Sequence, residues 1–330
     1  MSLPQRAVIE SILIGVVSTL LVILIGLVPV LNIAVLLWPV PLIVVGVRRG
    51  YFAGLLSLIV SGMLIGFLFQ PLTGIILVVT NLFLVIGLSF GLRKRLDLFE
   101  NILISAGSVL LSIMLFLKAY SFIAGQSAFD VLWQFTREAI TNGGVDFNKL
   151  LLMYHEMGLF NNFTTAAQLA EFLIGQMQLI IPAAIIIISL VYGMVIFIVS
   201  RLIVKRFGYE VIPIPAFADW VMPKGMGFGF LALLLVTFLG SGLEIANFEV
   251  VQLTVTSLIL LIFTVQGLAV LWFFLKAGRV PSVIRWLLVI FIYFVINMLL
   301  TYNIGLAIFG IFDHTFGLRR NYRNKFIMRK

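Results

Sequence analysis

Runs without a single Asp, Glu, Lys or Arg cover 11–47, 50–92, 101–117, 172–200, 225–243, 250–275 and 286–312. One helical crossing takes about 20 apolar residues, because a helix rises ~1.5 Å per residue through a hydrocarbon core of ~30 Å. The first run holds 37 residues and the second 43, so each is expected to fold back once. Proline and polar residues place the breaks near Pro29-Val30-Leu31-Asn32 and near Gln70-Pro71. The next four runs predict one span each, the one from Asn101 continuing past Lys118, which brings the count to eight. The last run reads as one helix or as a hairpin broken near Thr301-Tyr302-Asn303.

Charge arbitrates between those two readings. Basic residues favour the cytoplasmic side of a membrane chain, counted over short loops. With ten passes, 19 of the 22 Lys and Arg fall on the inner side, leaving Lys118, Arg137 and Lys149 outside. With nine passes the six basic residues of the tail move out, and the split falls to 13 against 9. Ten passes are therefore expected, with both termini cytoplasmic and a short or tilted final half-helix over roughly 303–316.

Composition sets the class. Hydrophobic residues make up 62% of the chain and charged residues 11%, and the mean hydropathy is +1.20. A soluble domain must face much of its exterior to water, so this balance predicts an all-α polytopic membrane protein in contact with the lipid bilayer, at the cell (plasma) membrane. The net charge of +9 is spread as loop clusters, which argues against nucleic acid. There is no cysteine, and the two histidines, His155 and His314, lack the companions of a zinc helix. Phosphate-binding glycine loops and nucleophile–base pairs at family spacing are also missing, so neither an enzyme nor a cofactor or metal is expected.

Two polar stretches divide the chain. Residues 121–171 form an external excursion in which 128–141 and 148–160 have helical spacing and Thr164 is placed to cap a third helix. It reads either as a cap on the outer leaflet or as a lid over an outward-facing cavity. Segment 201–224 holds Pro213, Pro215 and Pro223, which preclude a long helix, while Phe217 and Trp220 suit the headgroup zone. The expected organisation is a six-helix membrane unit over 1–206, an interfacial linker over 207–224, a four-helix unit over 225–318 and a basic tail over 319–330.

Candidate sites follow from polar groups at membrane depth, which are costly there. Thr80 and Asn81 lie in the fourth helix, Lys118 and Tyr120 near the outer end of the fifth, and Glu171, Gln176 and Gln178 at the start of the sixth. They suggest a ligand pocket in the outer half of the first unit, against the alternative of snorkelling and interfacial hydration. Gln266, Asn297 and Asn303 read as interhelical hydrogen-bonding residues. Ser11, Gly15 and Thr19 share one face of the first helix, for packing within the chain or for docking a separate membrane subunit.

Three short motifs carry a resemblance. Pro215-Ala216-Phe217-Ala218-Asp219-Trp220-Val221-Met222-Pro223, Trp38-Pro39-Val40-Pro41 with Arg48-Arg49-Gly50, and Gly310-Ile311-Phe312-Asp313 followed by Arg319-Arg320 resemble the YybS-like family of uncharacterised bacterial polytopic membrane proteins. Phe316-Gly317-Leu318-Arg319 departs from that family's usual closing pattern. The family is distantly similar to the S components of energy-coupling-factor vitamin transporters. That resemblance implies an S-component-like six-helix unit, a small-molecule ligand taken from outside, and a transmembrane coupling subunit with ATPases. Two functions are expected as alternatives: such a micronutrient-binding subunit, or a non-transporting scaffold or regulator. The scaffold would contact cytoplasmic proteins or anionic lipid through the interfacial linker and the basic tail.

Overall fold

The structure is a computed structural model that describes residues 3–27, 35–141, 146–160, 162–240, 248–299 and 304–326. The expected break at Pro29-Val30-Leu31-Asn32 and the one at Thr301-Tyr302-Asn303 lie outside those residues, as does the side chain of Asn297. Among the described residues every regular element is helical. Two compact units emerge, one of Met1–Gln176 with Ala184–Pro213, the other of Met177–Ala183 with Ile214–Lys330.

The first unit contains α1 (Leu3–Gly26), α2 (Pro39–Arg49), α3 (Tyr51–Leu68), α4 (Pro71–Arg93), α5 (Leu98–Ala124), α6 (Ala128–Thr141), α7 (Phe147–Glu156) and most of α8 (Ala166–Arg206). Helix α2 starts at Pro39 because a proline ring lacks the N–H that the first turn does not need. It ends at Gly50, whose φ of 107° is closed to other residues at little strain, and α3 begins at once. Nearly every α2 residue from Pro39 to Val47 is buried, and α1, α3 and α4 surround it. Helix α3 offers Gly62 and Gly66 to Gly74 of α4, where an added Cβ on Gly74 would overlap the Gly62 carbonyl. With no hydrophobic drive between helices in lipid, such backbone contact supplies the packing energy.

Charged ends gather at one level of this unit. Arg48 and Arg49 pair with Glu10 at 2.9 and 2.5 Å. The Arg93 guanidinium lies 5.7 Å from the Tyr51 ring, Arg48 lies 4.8 Å from Phe207, and Arg95 pairs with Glu210 at 2.7 Å. The α1–α2, α3–α4 and α5–α8 pairs each return to that level. At the opposite end α6, α7 and the start of α8 form the excursion. The cap of α8 is Thr165, one residue beyond the expected Thr164. It exchanges bonds with Gln168, and Thr164 donates to the same Gln168 side chain.

The second unit holds α9 (Lys224–Gly240), α10 (Phe248–Ala277), α11 (Ser282–Leu299), α12 (Ile304–Phe316) and α13 (Leu318–Phe326). Helices α10 and α12 cross in backbone contact. A Cβ on Gly267 would overlap Leu306 O, and one on Gly310 would overlap Phe263 O. Met222, Ile259, Phe263 and Ala307 form the buried core beside that crossing.

Six described helices are long and apolar enough to cross a membrane: Gln5–Gly26, Tyr51–Leu68, Pro71–Arg93, Leu98–Ala124, Ala166–Arg206 and Phe248–Ala277. The other four expected passes coincide with α2, α9, α11 and α12, which have 11, 17, 18 and 13 residues. At ~1.5 Å per residue, α2 and α12 span roughly half to two thirds of a hydrocarbon core of ~30 Å.

Candidate functional site

The most developed polar centre lies at one end of the second unit. Helix α12 stops at Gly317, whose φ of 62° turns the chain left-handed, and its N–H donates to Asp313 O at 2.8 Å. The turn brings Arg319 back over the last turn of α12. Arg319 Nε and Nη2 donate to Asp313 Oδ2 at 3.0 and 2.6 Å, and the Arg319 backbone N–H donates to Oδ1 at 3.0 Å. Gln266 of α10 adds a longer bond to Oδ2 at 3.4 Å. Both charged side chains are about 95% buried, at 5% and 4% exposure.

The remaining donors of Arg319 leave the pair. Nη1 donates to Ala218 O at 2.7 Å and Nη2 to Trp220 O at 2.9 Å. Those carbonyls belong to the middle residue of the 3-10 turn Phe217–Asp219 and to the residue that follows it, and Arg323, one helical turn further along α13, pairs with Asp219. A guanidinium suits this task because its fork serves one carboxylate and two backbone oxygens simultaneously. The Asp313–Arg319 pair and Arg323 thereby hold segment 218–220 in place.

Aromatic rings surround this clamp. Phe217 meets Trp220 at 5.4 Å and Trp272 at 6.3 Å, and Trp272 meets Trp286 at 4.7 Å. Trp220 donates its indole N–H to Pro215 O at 3.1 Å. Arg323 lies 5.0 Å from the Phe273 ring, and Tyr322 packs edge-on against Phe273 and Phe274. Rings with a polar edge beside arginines are the usual furniture of a membrane–water boundary. Pro223, the last residue of the motif, is exposed at the entry to α9.

The candidate pocket residues are placed differently. Asn81 is 7% exposed, and its amide donates to Leu77 O and to Thr80 Oγ1, whose own hydroxyl donates to Ile76 O. Lys118, Gln176 and Gln178 are exposed, Tyr120 is half-buried beside Phe116, and Glu171 forms an exposed pair with Arg137. Gly15 and Thr19 face α3 of the same chain, one and two turns along α1 from Ser11, whose hydroxyl donates to Ala7 O. Ser11 is fully buried, a Cβ on Gly15 would stand 2.8 Å from Ser57 O, and Thr19 Oγ1 lies 2.8 Å from Ser61 Oγ. Trp38 donates to that same Ser61 at 3.2 Å.

A family profile described as a predicted membrane protein, DUF2232, matches residues 16–314. The chain belongs to the DUF2232 family. No curated protein and no solved structure matches it. The DUF2232 match takes in Trp38, segment 217–223, Gln266 and Asp313, and stops five residues before Arg319. Family and apolar helices together make this an integral membrane protein in contact with a lipid bilayer.

Chemically, the DUF2232 centre is a closed lock: the carboxylate is met by four donors and the guanidinium by acceptors on three sides. Among the described residues no group of three or more His, Cys, Asp or Glu is placed to hold a metal. The sequence separately flags the proline–aromatic segment, the Asp313…Arg319 ending and Gln266. It gives no sign that the three meet, because their approach depends on how α10 crosses α12. Trp272 and Trp286 escape sequence reading, and Arg285 enters it only through the charge balance, since a Trp near a helix end is unremarkable until its neighbours are known. A second feature, in the first unit, is an open cleft of about 560 Å³ lined by Arg95, Lys205, Tyr209, Glu210 and Ile212.

Proposed function

We propose that this DUF2232 chain is a non-transporting membrane scaffold or regulator, whose cytoplasmic face contacts other proteins through segment 217–223 and α13. One observation carries the reading: Arg319 joins Asp313 to Ala218 O and Trp220 O, making one rigid surface from pieces a hundred residues apart in sequence. Burying a charge pair is a poor route to stability, and its best-attested use is to fix one arrangement. Val221 follows the bonded Trp220 carbonyl at 62% exposure, and Arg320 and Asn324 are exposed on α13. On this reading the surface lies in the cytoplasm, as the charge distribution of the sequence favours.

A photo-crosslinking residue at Val221, compared in wild type and Arg319→Gln, tests the idea in cells. The expected result is a discrete adduct in wild type that is lost in the variant at equal membrane abundance. An adduct unchanged in the variant, or none from any position on this face, contradicts it.

A second reading keeps the vitamin-transporter likeness, with a ligand in the outer half of the first unit and a separate energising partner. Its support is Asn81, an amide side chain buried within a membrane helix. Ligand at a hundredfold excess over its dissociation constant stabilises by about 2.7 kcal/mol, so a thermal shift with one member of a vitamin panel is its expected signature. A flat response across the panel removes it. The exposed positions of Lys118, Gln176 and Gln178 and the internal packing of Ser11, Gly15 and Thr19 favour the scaffold.

A further inference from the structure

At the turn joining α10 to α11, Lys276, Arg279 and Arg285 fall within ten positions. Lys276 and Arg279 are exposed, and Arg279, at φ 57°, is the left-handed residue that closes α10: its N–H donates to Lys276 O and that of Val280 to Leu275 O, both at 3.1 Å. Among the described residues none of these three cations forms an ion pair, unlike Arg319 with Asp313 and Arg323 with Asp219. The Arg285 guanidinium lies 5.1 Å from the Trp272 ring, and its Nε is buried without a hydrogen-bond partner. Trp286 stands against Trp272 and is 58% exposed.

The combination is specific in kind. Indoles settle at the glycerol and headgroup level of a bilayer, and a basic pocket between helix ends at that level suits an anionic headgroup. A guanidinium fixed by stacking keeps its outer N–H groups for a phosphate, at smaller entropic loss than a free side chain. We propose that the α10–α11 turn binds the phosphate headgroup of an anionic phospholipid, with Arg285, Lys276 and Arg279 meeting the phosphate and Trp286 the glycerol region. This site holds the membrane surface beside the Arg319 clamp and does not depend on the scaffold having a protein partner.

The test uses the full chain in detergent, with thermal unfolding measured against phosphatidylglycerol, phosphatidylcholine and inorganic phosphate. Phosphatidylglycerol is expected to raise Tm by several degrees, with neither of the other two doing so. Lys276→Gln with Arg279→Gln, both surface changes that leave the fold intact, is expected to lose at least half of the shift, and Arg285→Gln most of it. Arg320→Gln, on α13, is expected to keep it. Equal shifts with phosphatidylcholine mean unselective lipid contact and overturn the site. So does an equal shift with inorganic phosphate, or a full shift retained in the Lys276/Arg279 variant.

Discussion

Removing one member of the Asp313–Arg319 pair leaves the other charge buried without its partner, which costs about 3–5 kcal/mol where such pairs have been broken. Asp313→Asn and Arg319→Gln are each expected to destabilise on that order, read as a large drop in the detergent-solubilised Tm. A double replacement by apolar residues often restores stability at a simple buried pair. Here it is expected to fall short, because Arg319 also serves Ala218 O and Trp220 O, and each orphaned carbonyl costs about 1–3 kcal/mol. Full recovery by Asp313→Leu with Arg319→Met would mean that those carbonyl bonds carry nothing. Sequence alone exposes Asp313 and Arg319 as the ends of a motif, but a carboxylate and a cation six positions apart usually look like a solvated helix end. Their burial depends on a left-handed Gly317, and a glycine after a helix does not announce what its turn brings together.

Helix packing here is set by glycines whose importance differs from one to the next. Gly310→Ala is expected to destabilise by about 1–3 kcal/mol, because the methyl meets Phe263 O where α12 crosses α10. Gly107→Ala, within α5 and with no atom near its Cβ position, is expected to stabilise by about 0.5–1 kcal/mol through helix propensity. Unfolding in a graded detergent series checks the two together, and the same sign for both would undermine the crossing. Periodicity and prolines made most elements legible: the breaks at Gln70-Pro71 and the three helices of the excursion fall within a few residues of their expected places. The shortness of α2 was legible only in hindsight. Pro39 and Pro41 confine its start, although the charge-free run begins far upstream. Which face of α4 or α8 carries Asn81 or Gln176 toward a neighbour is a tertiary fact, and hydropathy has no access to it.

Taken whole, the molecule concentrates its basic residues at helix ends. In the first unit Arg48, Arg49, Arg93 and Arg95 share one level, and in the second Arg285, Arg319 and Arg323 surround one aromatic collar. The scaffold reading requires the collar and the tail to face the cytoplasm together, which in turn requires α11 and α12 to go out and return. The chain has no cysteine, so single substitutions Val221→Cys and Asn324→Cys each report from an otherwise silent background. Labelling with a membrane-impermeant maleimide, in intact cells and in everted vesicles, is the most direct measurement. Both positions are expected to be protected in cells and labelled in everted vesicles; labelling of Asn324 in intact cells contradicts the account.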